Sequence, residues 1–175
     1  VFDSRGNPTV EAEVYTNNSS ASAICPSGAS TGTYEAFEKR DKNNKKYLGK
    51  SVLKAVELVN SKISKKLKGQ NVHNQERIDA LLINLDGTRQ KTNLGANAML
   101  AVSMAVKKLS AKVKKLPLYK TFFLKNNFQL PYPLMNIING GAHANNGLRI
   151  QEFMIRPDSC LLYTSDAADE VVGGG

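Results

Sequence analysis

The 175 residues contain two cysteines, Cys25 and Cys160, and two histidines, His73 and His143. Two cysteines cannot build a framework of disulfides, and neither has a second Cys or a His at metal-ligand spacing. Both are therefore predicted to be free thiols. The histidines lie far apart in the chain, so a histidine-based metal centre has little support.

Long apolar runs are also absent, because no stretch approaches the roughly 18 consecutive apolar residues of a membrane-spanning helix. The opening residues, Val1 to Arg5, have neither the charged start nor the apolar stretch of a signal peptide. A soluble, cytoplasmic protein with no membrane partner is the expectation. The chain does not begin with Met, so we expect its true start to be missing, which leaves a preceding targeting segment an open question.

Aromatic residues make up only 7% of a chain whose formal net charge is +9. Such a charge fits either a basic module that binds RNA or an acidic partner, or a solvated lysine-rich face. The lysines cluster on predicted helices with almost no aromatic side chains between them for base stacking. The solvated face is favoured, and a nucleic-acid partner is not expected.

The first regular pattern is a β-hairpin between Thr9 and Ile24. Val10, Ala12 and Val14 alternate with polar or larger residues, and turn residues follow at positions 17–20. One face of this hairpin is therefore predicted to be apolar and the other wet. The next segment, Pro26 to Gly32, is too rich in Gly, Ser and Pro for a regular element and is predicted to be a loop.

Three helices are predicted after this loop. The first carries an apolar stripe at spacings of three and four, the second begins at an Asn74 cap and ends at Gly87, and the third runs from about Leu94 to Leu116 before Pro117. The stripe of the first helix consists of Val52, Val56, Val59, Ile63 and Leu67. Strands are predicted at 134–138 and 150–155 with a loop at 139–147, and the chain is expected to divide near residue 120.

Three positions have the composition of chemical sites, and each has an ordinary alternative. The loop 27–32 could approach an ion closely or be a simple turn. His143 lies among Gly and Asn rather than on an apolar face, which suits phosphate contact or proton transfer as well as a structural role. Glu152 lies among apolar neighbours, so it is paired, protonated or functional if the segment is buried, or it faces solvent on an edge strand. Asp3, Arg5, Arg40 and Asp41 could be chemical or could form structural ion pairs.

Five long motifs, in the same order, resemble the enolase family. They are Phe2 to Glu11, Pro26 to Gly32, Leu85 to Thr88, Leu94 to Ala98, and Ile138 to Ala144 followed by Gln151 to Ile155. The resemblance covers residues 1 to about 157, which is well under half of a family member.

The resemblance implies an α+β amino-terminal domain over 1–117, with a three-stranded antiparallel meander plus helices. The first strands of an incomplete α/β, TIM-like barrel are expected over 118–157. Residues 158–175 have no expected counterpart in the family and are expected to be a foreign tail. A homodimer is implied for the complete protein.

The implied chemistry is that of a glycolytic lyase, the reversible dehydration of 2-phosphoglycerate to phosphoenolpyruvate with two Mg²⁺ ions. By position, Ser30 is implied as a magnesium ligand and His143 as a contact near the substrate phosphate. Gln151 is implied to contact substrate, and Glu152 to handle the departing hydroxyl. The basic lysine, a second glutamate and three metal-binding carboxylates are implied beyond residue 157, so this chain alone is expected to be inactive.

Overall fold

The structure is a computed structural model that describes residues 1–28, 31–43, 46–122 and 130–157. The chain divides into two compact units, Val1–Asn126 and Asn127–Gly175. The first unit contains a two-stranded sheet and helices, and the second contains a separate two-stranded sheet. The two units are described in turn.

The amino-terminal sheet is a hairpin of β1 (Val10–Thr16) and β2 (Ser19–Cys25). The strands pair antiparallel from Val10 with Cys25 to Thr16 with Ser19, which leaves a two-residue turn. Val10 and Ala12 are buried, as their alternation predicts, whereas Glu11 and Glu13 are exposed. Among the described residues this sheet has these two strands, and only an isolated bridge between Phe2 and Pro8 lies outside them.

The first predicted helix forms as α1 (Leu53–Leu58), a π-helical turn (Val59–Ile63) and α2 (Ser64–Leu67). Within it, the Ser61 hydroxyl donates 2.6 Å to the Glu57 carbonyl four residues earlier, a side-chain bond that competes with the helix backbone. The amino terminus of α1 is capped from a distance, because the Asp41 carboxylate accepts from the Leu53 and Lys54 amides at 2.9 and 3.0 Å.

Helix α3 (Gln75–Asp86) begins and ends where its caps predict. The Asn74 side chain accepts from the Arg77 amide at 3.0 Å, and Gly87 adopts a left-handed conformation with φ 71°. Ile78 and Leu82 are buried, in agreement with the predicted inward face.

Helix α4 (Ala96–Val113) packs against β1 and β2 and supplies much of the core. It is shorter than predicted, since Leu94 and Gly95 belong to the preceding loop. It ends at Val113 because Lys115 has φ 53°. The Lys115 amide donates 3.0 Å to the Lys112 carbonyl, and the Leu116 amide donates 3.0 Å to the Ala111 carbonyl. This is a Schellman cap with lysine in the position that glycine favours. No helix of the described residues is both long and apolar enough to cross a bilayer.

The second unit contains β3 (Met135–Asn139) and β4 (Glu152–Ile155), close to the predicted strands. They pair antiparallel, from Met135 with Ile155 to Asn139 with Glu152, with a bulge between Asn136 and Ile138. A regular (β/α)₈ barrel is built from parallel strands. The described residues of this unit therefore form a hairpin, which differs from that regular pattern.

Candidate functional site

The β3–β4 hairpin places the end of β3 opposite the start of β4. Asn139 and Glu152 form the last paired position before the connecting loop. Within the loop, the Gly140 amide donates 3.0 Å to the Gln151 carbonyl, and the Gly141 amide donates 2.9 Å to the Leu148 carbonyl. These bonds hold the two ends of the loop together beside Glu152.

Two glycines make this close approach possible. A Cβ at Gly140 would lie 2.5 Å from the Ile150 carbonyl oxygen and 2.7 Å from the Leu148 Cβ, closer than real atoms approach. Gly141 has φ 54°, a conformation that favours glycine. The His143 amide then donates 3.0 Å to the Gly140 carbonyl, so the glycine pair turns the backbone and presents His143 toward β4.

His143, Gln151 and Glu152, three predicted site residues, come together in the structure. His143 Nδ1 lies 2.5 Å from Glu152 Oε1, and Gln151 Nε2 lies 3.2 Å from His143 Nε2. An amide nitrogen only donates, so in this arrangement Nε2 accepts and the ring proton is on Nδ1. His143 therefore donates to the carboxylate while Gln151 fixes its tautomer.

The environment of this group is half-open to solvent. The side chains of His143 and Glu152 are 22% and 31% exposed, and the neighbouring Phe153, Met154 and Ile155 are exposed. Glu152 is thus a paired carboxylate on a strand whose other side chains are exposed. A carboxylate that is partly open to solvent can take up a proton from water and pass it to a bound molecule.

The described residues do not assemble a metal centre. In the ranges that the structure describes, no three His, Cys, Asp or Glu side chains gather where they could hold an ion. His143 and Glu152 supply one nitrogen and one carboxylate, whereas Mg²⁺ prefers a shell of oxygen ligands. This pair alone does not fit magnesium. Ser30 lies outside the described residues, so the structure does not test its predicted role.

The motif Leu85 to Thr88 has a structural role. Asp86 is buried, and its carboxylate accepts from the Thr88 amide at 3.0 Å, the Thr88 hydroxyl, and the Leu94 amide at 2.7 Å. Burial raises the pKa of Asp86, but the hydrogen bonds from Leu94 and Thr88 outweigh it, and the pKa falls below its ordinary 3.8. Asp86 thus organises the loop that leads into α4.

The motif Leu94 to Ala98 is structural as well. The Asn97 side-chain oxygen accepts from the Lys39 backbone N–H, and the Asn97 side-chain nitrogen donates to the Lys39 carbonyl, both at 3.1 Å. Asn97 therefore pairs with a backbone from a distant segment as a β-strand would. Gly95 lies beside it with φ 93°, and a Cβ there would lie 2.5 Å from the Lys39 Cβ.

The roles of Asp3 and Asp41 could not be decided from the sequence. In the structure both carboxylates accept hydrogen bonds from backbone amides. The amides of Asn7 and Arg5 each donate 2.9 Å to Asp3, and the Asn7 bond leads in lowering the Asp3 pKa. Burial raises the pKa of Asp41, yet the bonds from the Lys54 amide, the Ser51 hydroxyl and the Leu53 amide lower it overall. These carboxylates close turns and cap a helix.

Comparison with known protein families gives two matches along the chain. Residues 1–122 match the model of the enolase N-terminal domain. The chain belongs to the enolase family. Residues 127–167 match the model of the enolase C-terminal TIM barrel domain, so the family fold is an enolase amino-terminal domain followed by the start of a TIM barrel domain. The resemblance drawn from the five motifs is confirmed.

Curated relatives agree with this assignment to the enolase family. The chain is 84% identical over 164 residues to the enolase of Pelagibacter ubique (strain HTCC1062), which covers 94% of the chain and 39% of the relative. It is 56% identical over 157 residues to the enolase of Methanosarcina mazei, covering 90% of the chain and 37% of that relative. The chain thus spans under two fifths of the length of these enolases.

The barrel-domain match reaches residue 167, past residue 157, where the motif resemblance was expected to end. The expectation that residues 158–175 are a foreign tail stays a prediction. These residues lie outside the part of the chain that the structure describes.

Proposed function

We propose that the complete protein is a phosphopyruvate hydratase, a glycolytic lyase that interconverts 2-phosphoglycerate and phosphoenolpyruvate. The observation that carries this proposal is the 84% identity to a curated enolase over 94% of the chain. The contact between His143 and Glu152, 2.5 Å long, is consistent with the proposal because it joins two residues that the family motifs imply at the substrate.

In this proposal Glu152 acts on the leaving group. Dehydration removes a proton from one carbon and a hydroxyl from the next, and the hydroxyl leaves more easily when it receives a proton. The carboxyl group of Glu152 is proposed to take up a proton from solvent and pass it to the leaving hydroxyl, or to position the water that carries it. The basic lysine that accepts the carbon-bound proton is implied beyond residue 157.

His143 is proposed to exchange partners when substrate binds. Its Nδ1–H donates to Glu152 and its Nε2 accepts from Gln151 in the present arrangement. A substrate phosphate offers charged oxygen acceptors that compete for the Nδ1–H. Its arrival would free Glu152 for the leaving hydroxyl, while Gln151 remains beside the substrate.

Magnesium is the proposed cofactor, and it would stabilise negative charge on the reacting carboxylate. Ser30 is the one proposed ligand in this chain, and the described residues supply no cluster that could complete the site. The proposal also includes the domain limits 1–117 and 118–157, the three-stranded meander of the family, a homodimer and a cytoplasmic location.

A basic nucleic-acid module is not proposed, because several lysines already bind their own chain. Lys108 and Lys112 donate to the Ser22 and Ser20 carbonyls at 3.1 and 2.9 Å. Lys39 donates to the Thr92 and Asn93 carbonyls at 3.0 and 2.7 Å. Lysine ammonium groups that bind carbonyls of their own chain are less available to the phosphates of a nucleic acid.

The experiment is to express the complete reading frame and the 175-residue chain side by side. Phosphoenolpyruvate formation from 2-phosphoglycerate is followed by its ultraviolet absorbance, with and without magnesium. We expect magnesium-dependent turnover by the complete protein and none by the chain. A folded complete protein without turnover would contradict the proposed function, and turnover by the chain would contradict the placement of the missing residues.

A further inference from the structure

Four side chains, from Arg5, Ser27, Glu38 and Arg40, form a polar cluster where the glycine-rich loop leaves β2. The Arg40 Nη2 donates 2.6 Å to the Ser27 hydroxyl and 2.7 Å to Glu38 Oε1. The Ser27 hydroxyl donates 2.5 Å to the same Glu38 oxygen. We call this group the Arg40 cluster.

The other nitrogen of Arg40 ties two further segments to the cluster. Its Nη1 donates 3.1 Å to the Pro8 carbonyl and also binds the Lys50 carbonyl. The Arg40 side chain is only 17% exposed. A planar guanidinium has several donors in a rigid fork, which lysine lacks, so one side chain joins four places in the chain.

Ser27 is held by its backbone as well as by its side chain. The Arg5 Nη2 donates 2.5 Å to the Ser27 carbonyl. Farther along, the Gly32 amide donates 2.9 Å to Glu35 Oε1, and the Glu35 amide donates 3.2 Å to the Gly32 carbonyl. Among the described residues, Ser27 is therefore held by the Arg40 cluster and Gly32 by a tight turn.

We propose that Arg40 is a positioning residue that fixes the path of the backbone at Ser27 and Gly28, where the glycine-rich loop begins. An exposed ion pair contributes little to stability, but here one cation and one carboxylate hold the same hydroxyl, and charge-assisted bonds are the stronger kind. The effect of Arg40 on catalysis rests on the proposed function, whereas its effect on the order of Ser27 is independent of that function.

The first test measures backbone order by NMR in the 175-residue chain. Arg40→Ala and Arg40→Lys remove the fork, and Ser27→Ala removes only the hydroxyl while leaving the bonds to Pro8 and Lys50. We expect the order parameters of Ser27 and Gly28 to fall from about 0.85 to below about 0.6 in both Arg40 variants, and to fall less in Ser27→Ala. Arg77→Ala is the control, since Arg77 Nε donates 3.0 Å to Gln70 on the exposed surface, away from the Arg40 cluster.

Unchanged order at Ser27 and Gly28 in Arg40→Ala would overturn the proposal. If the order parameters fall equally through α4, Arg40→Ala has unfolded the chain, and the Ser27→Ala variant becomes the test of the proposal. In that variant a local loss of order supports the proposal and unchanged order overturns it. Full rescue by Arg40→Lys would also contradict it, because the proposed role needs the fork.

The second test uses the complete protein and separates the magnesium requirement from kcat. We expect Arg40→Ala to raise the magnesium concentration for half-maximal turnover about tenfold, while kcat changes by less than about twofold, as loss of a bond to a charged group predicts. A fall of about tenfold in kcat with an unchanged magnesium requirement would overturn the positioning role. No turnover by the parent protein, with ordering of Ser27 intact, would count against the proposed function alone.

Discussion

The two units bury their apolar side chains to very different extents. In the first unit, β1, the helices and the loop before α4 contribute to one buried cluster that includes Val10, Ile63, Leu82 and Leu94. In the second unit, every residue of β3 is exposed, as are Phe153, Met154 and Ile155 of β4. The unit that carries the His143–Glu152 pair therefore lacks a core among its described residues.

This difference indicates where stability and chemistry lie in the chain. Burial of apolar surface is the main favourable contribution to folding, so the first unit has its own source of stability. Among the described residues the hairpin has unpaired strand edges and exposed apolar side chains, which are typical of a surface that another part of a protein covers. We expect that the remaining barrel strands of the complete protein cover it.

The largest expected effect separates the two units directly. Leu82→Ala removes a side chain that is 1% exposed, and we expect it to lower the free energy of unfolding by about 2–5 kcal/mol. Phe153→Ala removes a side chain that is 57% exposed, and should change it by less than about 0.5 kcal/mol. Urea unfolding followed by helical circular dichroism gives the free energy of unfolding of the helical first unit in both variants. A similar loss of unfolding free energy in the two variants would contradict the difference in burial between the two units.

Gly95→Ala comes next, because it adds a Cβ at φ 93° and at 2.5 Å from the Lys39 Cβ. We expect a loss of about 1–3 kcal/mol in the first unit, through steric overlap and backbone strain. Gly147→Ala is the matched control, since no atom lies within 4 Å of its added Cβ. An unchanged urea midpoint in Gly95→Ala would show that the segment around Lys39 yields easily.

Asp86→Asn tests the loop before α4 and gives a pH dependence. The pKa of Asp86 is lowered from 3.8 in the folded chain, so its stabilisation is present above that pH and is lost as pH falls through the folded pKa. We expect the variant to be less stable by about 1–3 kcal/mol near pH 7. The difference from the parent should shrink below about pH 4. A gap that stays constant down to pH 2 would contradict this role.

The smallest expected effect has the opposite sign. Lys115 occupies the left-handed position of the α4 cap with φ 53°, where glycine avoids the steric cost of a side chain. Lys115→Gly should stabilise the first unit by about 0.5–1 kcal/mol. The His143–Glu152 pair should not respond. A lower urea midpoint would mean that the lysine side chain contributes more than its backbone conformation costs.

Local patterns in the sequence predicted much of the first unit. Alternation identified β1, and Asn74 and Gly87 identified the ends of α3, because each signal acts over a few residues. The cap on α1 was not predicted, since Asp41 is distant in sequence from the amides of Leu53 and Lys54 that it accepts. The π-helical turn was also missed, because apolar spacing does not register a hydroxyl bond such as that of Ser61.

The candidate site was predictable as a set of residues but not as a geometry. Composition and motif order indicated His143, Gln151 and Glu152, yet only the glycine turn at 140–141 brings the imidazole to the carboxylate. The Arg40 cluster was open to either interpretation from sequence, since Ser27, Glu38 and Arg40 meet through tertiary contacts. No sequence signal short of those contacts distinguishes a structural arginine from a positioning one.

The most direct measurement is the rate of phosphoenolpyruvate formation by the complete protein carrying Glu152→Gln. The amide keeps the size of the side chain but cannot donate or accept the proton that the leaving hydroxyl needs. With an unfolding midpoint equal to that of the parent, we predict a fall in kcat of at least about 100-fold. A kcat within about twofold of the parent would contradict the assignment of Glu152 to the chemistry.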